Sequence, residues 1–74
     1  MNIIDRLVKK ERRIYVNSPN LARYTFAIYE VCGHRADTVT VEPYYWNVGD
    51  QEWVLTFKAT GAQMDAIRAM LAQG

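Results

Sequence analysis

The chain has 74 residues, 50% of them apolar and 23% charged, with nine Lys and Arg against eight Asp and Glu. This length allows one domain, over residues 1–74, and the composition excludes a disordered chain. A single cysteine and a single histidine exclude a disulfide framework and a structural zinc site. No apolar run reaches the roughly 18 residues of a membrane span, and the N-terminus carries no signal pattern. We expect a small, soluble, cytoplasmic domain with no cofactor and no membrane partner.

The first elements along the chain are a helix and a short strand. Residues 2–11 are compatible with an amphipathic helix, and residues 13–17 alternate as a short strand does. The apolar side of that helix would present Ile3, Ile4, Leu7 and Val8.

Two interpretations of residues 21–32 remain open. Ser18 and Pro19 form a good helix start, and Gly33 is well placed as a C-terminal cap. Residues 24–31, however, are rich in aromatic and β-branched side chains, which favour a strand. The signals at both ends favour the helix. If residues 21–32 were a strand instead, the fold would be a four-stranded meander with a terminal helix.

The second half of the chain predicts a hairpin followed by a helix. Residues 38–46 and 52–58 alternate around the turn residues 47–50, and Pro43 should lie at an edge or a bulge because it cannot donate to a ladder. Thr60 and Gln63 have the spacing of a capping box. Apolar side chains then recur at helical intervals, at Met64, Ile67, Met70 and Leu71.

The fold class predicted from this order is α+β. We expect a two-layer sandwich in which a three-stranded antiparallel sheet carries helices on one face, in the order β-α-β-β-α with an extra N-terminal helix. Residues 16–22, 32–34 and the hairpin resemble in layout the ACT-type, ferredoxin-like regulatory modules. That resemblance implies a dimer that senses a small molecule near Asn17, Ser18 and Asn20.

Candidate catalytic residues are few, and we predict that the protein is not an enzyme. Cys32 and His34 are the only nucleophile–base pair, separated by Gly33 at the helix end. The simpler interpretation is that Cys32 packs as a small apolar residue and that His34 lies in a loop. The four glycines are isolated, so no phosphate-binding loop is present.

A basic run near the N-terminus is the main charge feature. Residues 1–13 carry five basic and two acidic side chains, a net +3, whereas residues 14–74 carry four and six, a net −2. The run is either a solvated helix end or a surface for an acidic protein or, less favoured, a nucleic acid. Its members are Lys9, Lys10, Arg12 and Arg13.

Aromatic residues of the strands predict a second surface. Trp53, Leu55 and Phe57 should face the helices, so that Tyr44 and Trp46 project from the opposite side, where Tyr15 joins them. Monomers rarely leave such a patch bare. Its occupant would be the N-terminal segment, a protein (a target or a second copy) or stacked nucleotide bases.

These features predict a binding protein that occupies another protein's surface, as an inhibitor or adaptor of the size and style of phage anti-defence proteins. Tyr15, Tyr44 and Trp46 would anchor it, and the basic run would steer it onto an acidic patch. The small-molecule-sensing dimer is the alternative, and a nucleic-acid-binding module comes third.

Overall fold

The computed structural model describes residues 3–33, 39–47 and 50–73, without the side chains of Ile3, Asp5, Asp50 and residues 45–47. The turn residues 48–49 and the segment 34–38, which holds His34, lie outside this description. The elements are α1 (Ile3–Leu7), β1 (Lys10–Asn17), a 3-10 turn (Ser18–Asn20), α2 (Leu21–Cys32), β2 (Val39–Asn47), β3 (Asp50–Ala59) and α3 (Gly61–Gln73).

The three strands form one antiparallel sheet in the order β1-β3-β2. Both outer strands are antiparallel to β3, so β1 and β2 run parallel to each other with β3 between them. The connection from β1 through α2 to β2 therefore skips one strand position, a split β-α-β arrangement. Tyr15 of β1 and Glu42 of β2 are both paired with Val54 of β3.

Only one face of the sheet is apolar, because the strands alternate. Val16, Val39, Leu55, Phe57 and Ala59 are buried on the side that meets the helices. Ala27 and Ile28 of α2 and Met64 and Ile67 of α3 complete this core, and Trp53 packs against it partly buried. The predicted α+β class, with helices on one face of a three-stranded antiparallel sheet, is confirmed.

Residues 21–32 are a helix, and the strand alternative is wrong. Pro19 lies in the 3-10 turn that leads into α2, where its missing N–H costs no hydrogen bond. Gly33 ends the helix with φ +112°, a conformation that side chains rarely adopt, and its N–H donates to the Tyr29 carbonyl over 2.9 Å. The two end signals outweigh the β-branched and aromatic composition because Ala27 and Ile28 bury a helical face.

The predicted capping box at the start of α3 is confirmed. The Thr60 N–H donates to Gln63 Oε1 over 2.9 Å, and the Gln63 N–H donates to Thr60 Oγ1 over 3.1 Å. Each side chain thus satisfies a backbone N–H that the helix itself leaves without a partner.

The prediction of a helix over residues 2–11 is wrong beyond its first half. Helical structure covers Ile3–Leu7 only, and β1 already begins at Lys10, three residues before the predicted strand start. Pairing with β3 from Lys10 onward supplies ladder bonds that a marginal short helix cannot match. The segment lies against α3, where Arg6 and Asp65 form an ion pair at 3.2 Å.

Pro43 occupies the edge strand β2 at a β-bulge, as its missing N–H predicts. Pro43 pairs with Trp53 and Tyr45 with Glu52, so Tyr44 is the extra residue. Among the described residues, no helix is long and apolar enough to cross a membrane.

Candidate functional site

The side of the sheet turned away from the core is the candidate functional site, which we call the open face. Strand alternation directs the side chains opposite to the buried positions Val16, Leu55 and Phe57 to this side. The open face comprises Glu11, Arg13, Tyr15, Thr40, Glu42, Tyr44, Glu52, Val54, Thr56 and Lys58.

Tyr15 and Tyr44 contact each other on the open face although they belong to the two outer strands. Their ring centroids are 4.5 Å apart and the ring planes meet at 63°, an edge-to-face contact. Because β3 lies between β1 and β2, the two rings meet above it, on the side of Val54. Tyr15 is 52% exposed and Tyr44 57% exposed. The pair is thus held in place and still presents most of its surface.

A shallow depression of about 490 Å³ lies beside this pair. Short side chains of β3, Val54 and Thr56, line it together with longer side chains of the outer strands. Arg13 and Tyr15 belong to β1, and Glu42 belongs to β2. The open face is therefore concave along its central strand and can accept a protruding side chain.

The open face is mixed in charge and slightly acidic. Among the side chains that the structure describes, Glu11, Glu42 and Glu52 stand against Arg13 and Lys58, a net charge of −1. Arg13 and Glu11 form an exposed ion pair at 3.5 Å. Such a face offers polar and aromatic contacts and no continuous track of positive charge.

Trp46, the third predicted anchor, belongs to β2, but its side chain lies outside the described residues, so its role stays a prediction. Its backbone pairs with Gln51, beyond the bulge at Tyr44. The argument that placed Tyr44 and Trp46 on one face assumes unbroken alternation, and the bulge interrupts it.

The basic run is part of a strand, which separates its members. Lys10 and Arg12 pair with Ala59 and Phe57, whose side chains belong to the core face, whereas Arg13 belongs to the open face. Arg12 Nε donates to the Ala59 carbonyl over 3.1 Å. The run therefore borders the outer edge of β1 and does not form one patch around the aromatic pair.

The described part of the N-terminal segment, from residue 3 onward, lies away from the open face. Its helix α1 contacts α3, on the helix side of the sheet. Ile4, Leu7 and Val8 are exposed there, so these three residues of the predicted apolar side are not part of the core. For the described residues of this segment, fold-back over the open face, one of the predicted occupants, is therefore wrong.

Polar groups at the predicted ligand loop bond to one another. Trp53 Nε1 donates to Ser18 Oγ over 2.9 Å, and Ser18 Oγ donates to the Gln51 carbonyl over 3.2 Å. Asn20 Nδ2 donates to Asn17 Oδ1 over 2.9 Å. These bonds join the start of α2 to β3 and give Ser18 and Asn20 a structural role.

Cys32 lies half-buried at the end of α2, beside a cavity of about 350 Å³ that Lys9 and Lys58 also line. Burial raises the pKa of its thiol, and the nearby Lys9 ammonium opposes that shift in part. A raised pKa keeps the thiol protonated, which is the weakly nucleophilic form. In the parts of the chain that the structure describes, no cluster of three or more metal-ligating side chains occurs.

Comparison with protein-family models, curated proteins and solved structures gave no significant match. The site therefore rests on its own geometry. Sequence reasoning placed Tyr15 and Tyr44 on this face but missed their contact across β3, which depends on the strand order. It also missed the length of β1, because the charged residues at its start, from Lys10 on, do not show the alternation of apolar and polar residues that predicts a strand.

Proposed function

We propose that this protein is a non-enzymatic binding protein whose open face docks on another protein, as an inhibitor or adaptor. The observation that carries the proposal is the Tyr15–Tyr44 pair, two rings in contact at 4.5 Å and each more than half exposed. Tyr is among the residues that dominate binding energy at protein interfaces, and a ring already held by a neighbour loses little entropy on docking.

The depression beside the pair supports this function. A protruding side chain of the partner fits between Arg13 and Glu42, with Val54 and Thr56 beneath it. Charges of both signs around an aromatic centre give orientation and partner choice more than raw affinity. The surface thus has an aromatic centre and a polar surround, as protein interfaces do.

Charge disfavours nucleic acid as the partner. Three glutamates lie on the same face as the aromatic pair, where the described side chains sum to a charge of −1, and they would repel a phosphate backbone.

The small-molecule-sensing dimer is likewise less favoured. Ser18 and Asn20, which the resemblance assigns to ligand binding, already bond to Trp53, Gln51 and Asn17. A ligand at this loop would have to replace those bonds, whereas a protein on the open face replaces only water.

Site-directed photocrosslinking in cells of the source organism tests the proposal. Tyr44 is replaced by p-benzoylphenylalanine, which reacts with C–H bonds in contact with its ring. Phe26, on the exposed side of α2 at 59% exposure, receives the same replacement as the matched control. We expect one discrete protein adduct from position 44 and none from position 26. Equal labelling from both positions, or adducts from position 26 alone, would refute the open face as the docking surface.

A further inference from the structure

The outer edge of β1 is a second binding surface, distinct from the open face. Within the described part of the chain, β1 pairs with β3 along one side only, over eight consecutive residues without a register shift. About half of the backbone N–H and C=O groups of an edge strand are directed away from its neighbour. An edge of this length and regularity is a template for a further strand.

Charge indicates what kind of strand fits. The strand Lys10–Asn17 carries three basic side chains and one acidic side chain, a net +2, and Lys9 directly precedes it. Lys10, Glu11 and Arg13 are exposed, and the Arg12 guanidinium is turned back onto Ala59. On the open face Arg13 is paired with Glu11, so a segment that lies along this edge meets the net positive charge of β1 on the other face, at Lys10 and Arg12.

The other edge of the sheet, β2, differs from β1 in the regularity of its backbone and in its charge. β2 contains Pro43 and the bulge at Tyr44, which interrupt any long pairing. It carries Glu42 and no basic residue. Only the β1 edge is regular and basic.

A second copy of the chain does not suit this edge. Pairing β1 with β1 of a second copy would bring two strands of net +2 together, and their like net charges disfavour that contact. Pairing β1 with the acidic β2 of another copy would meet the proline and the bulge. The two edges of this chain are thus poor partners for its own β1.

We propose that the β1 edge binds an extended acidic segment of another protein by adding it as a fourth strand. Backbone hydrogen bonds would supply affinity, and the basic side chains would select acidic sequences. This inference rests on the proposed function only in that the partner is a protein, because it concerns a different surface from the Tyr15–Tyr44 pair.

Titration with a synthetic peptide tests the proposal on the whole chain. The probe is acetyl-Glu-Val-Glu-Thr-Glu-Val-Glu-amide at low salt, with amide chemical shifts and hydrogen exchange as readouts. We expect saturable binding with a dissociation constant below about 1 mM. We also expect slower hydrogen exchange of the amides in β1 and unchanged exchange of those in β2. The same peptide methylated at every backbone nitrogen keeps its charge but cannot pair as a strand, so we expect no binding.

Charge variants complete the test. Lys10→Glu should weaken peptide binding about threefold or more, whereas Arg68→Glu, the same change of charge on α3, should leave it unaltered. No saturable binding by about 5 mM, equal binding of the methylated peptide, or equal binding of a single-stranded oligonucleotide would each overturn the β1 proposal. The crosslink from position 44 is read independently, so the failure of one proposal does not imply that of the other.

Discussion

At the scale of single residues, helix α2 carries both buried and exposed hydrophobic side chains. Ile28 of α2 is fully buried against the sheet, whereas Phe26, two residues earlier, is 59% exposed. Two hydrophobic positions two residues apart on a helix thus have different roles because about 200° separate their side chains around its axis.

We predict that Ile28→Ala lowers the free energy of unfolding by about 2–5 kcal/mol, since it leaves a cavity in a packed core. For a chain of this size the total is on the order of 4–11 kcal/mol, so the loss is a large part of it. Phe26→Ala is the control, and we expect a change within about 0.5 kcal/mol. Urea denaturation measures both, and equal losses would show that α2 is packed with a different side inward.

Cys32 gives a second prediction at this scale. Because burial raises the pKa of its thiol, a smaller thiolate fraction is present at any given pH than for an exposed cysteine. Alkylation by iodoacetamide at pH 8 should therefore be slower in the native protein than in urea, and its pH profile should be displaced upward. Lys9→Gln removes a nearby positive charge and should slow the reaction further. A native rate equal to the rate in urea contradicts this account.

At the scale of elements, local signals account for most of what sequence reasoning found. The capping box at Thr60, the proline before α2 and Gly33 after it are short-range features, and each lies where it was predicted. The start of β1 was missed because Lys10 and Glu11 have low strand propensity. They belong to the strand because they pair with Ala59 and Lys58 of β3, which is distant in sequence.

The capping box makes the start of α3 testable. Thr60→Ala removes the acceptor of the Gln63 N–H and should cost about 0.5–2 kcal/mol of stability. Thr60→Ser retains a hydroxyl and should restore most of it. Thermal and urea unfolding measure the two variants, and an unchanged stability of Thr60→Ala would mean that water replaces the cap without loss.

The open face was only partly predictable from the sequence. Period-two alternation placed Tyr15 and Tyr44 opposite the core side chains, as the structure has them. Their contact, however, depends on the order β1-β3-β2 and on the bulge at Tyr44, neither of which alternation reveals. A single extra residue in β2 is enough to change the side to which the following residues belong.

At the scale of the whole molecule, the helices lie on one side of the sheet and leave the other side to water or to a partner. The core lies between the helices and the sheet, and α1 extends the helix layer without reaching the open face. The two proposed surfaces follow from this layout, since a three-stranded sheet with one covered face has one bare face and two edges. Binding at either surface needs no rearrangement of the core.

The most direct test of the account is the dissociation constant of the protein captured through position 44, measured by calorimetry with three variants. Tyr15→Ala and Tyr44→Ala should each weaken binding at least about tenfold, the usual effect of an interface anchor, with little loss of stability. Phe26→Ala, equally exposed on the helix side, should leave affinity unchanged. Unchanged affinity in both tyrosine variants, with a loss in Phe26→Ala, would contradict the account and move the docking surface to the helices.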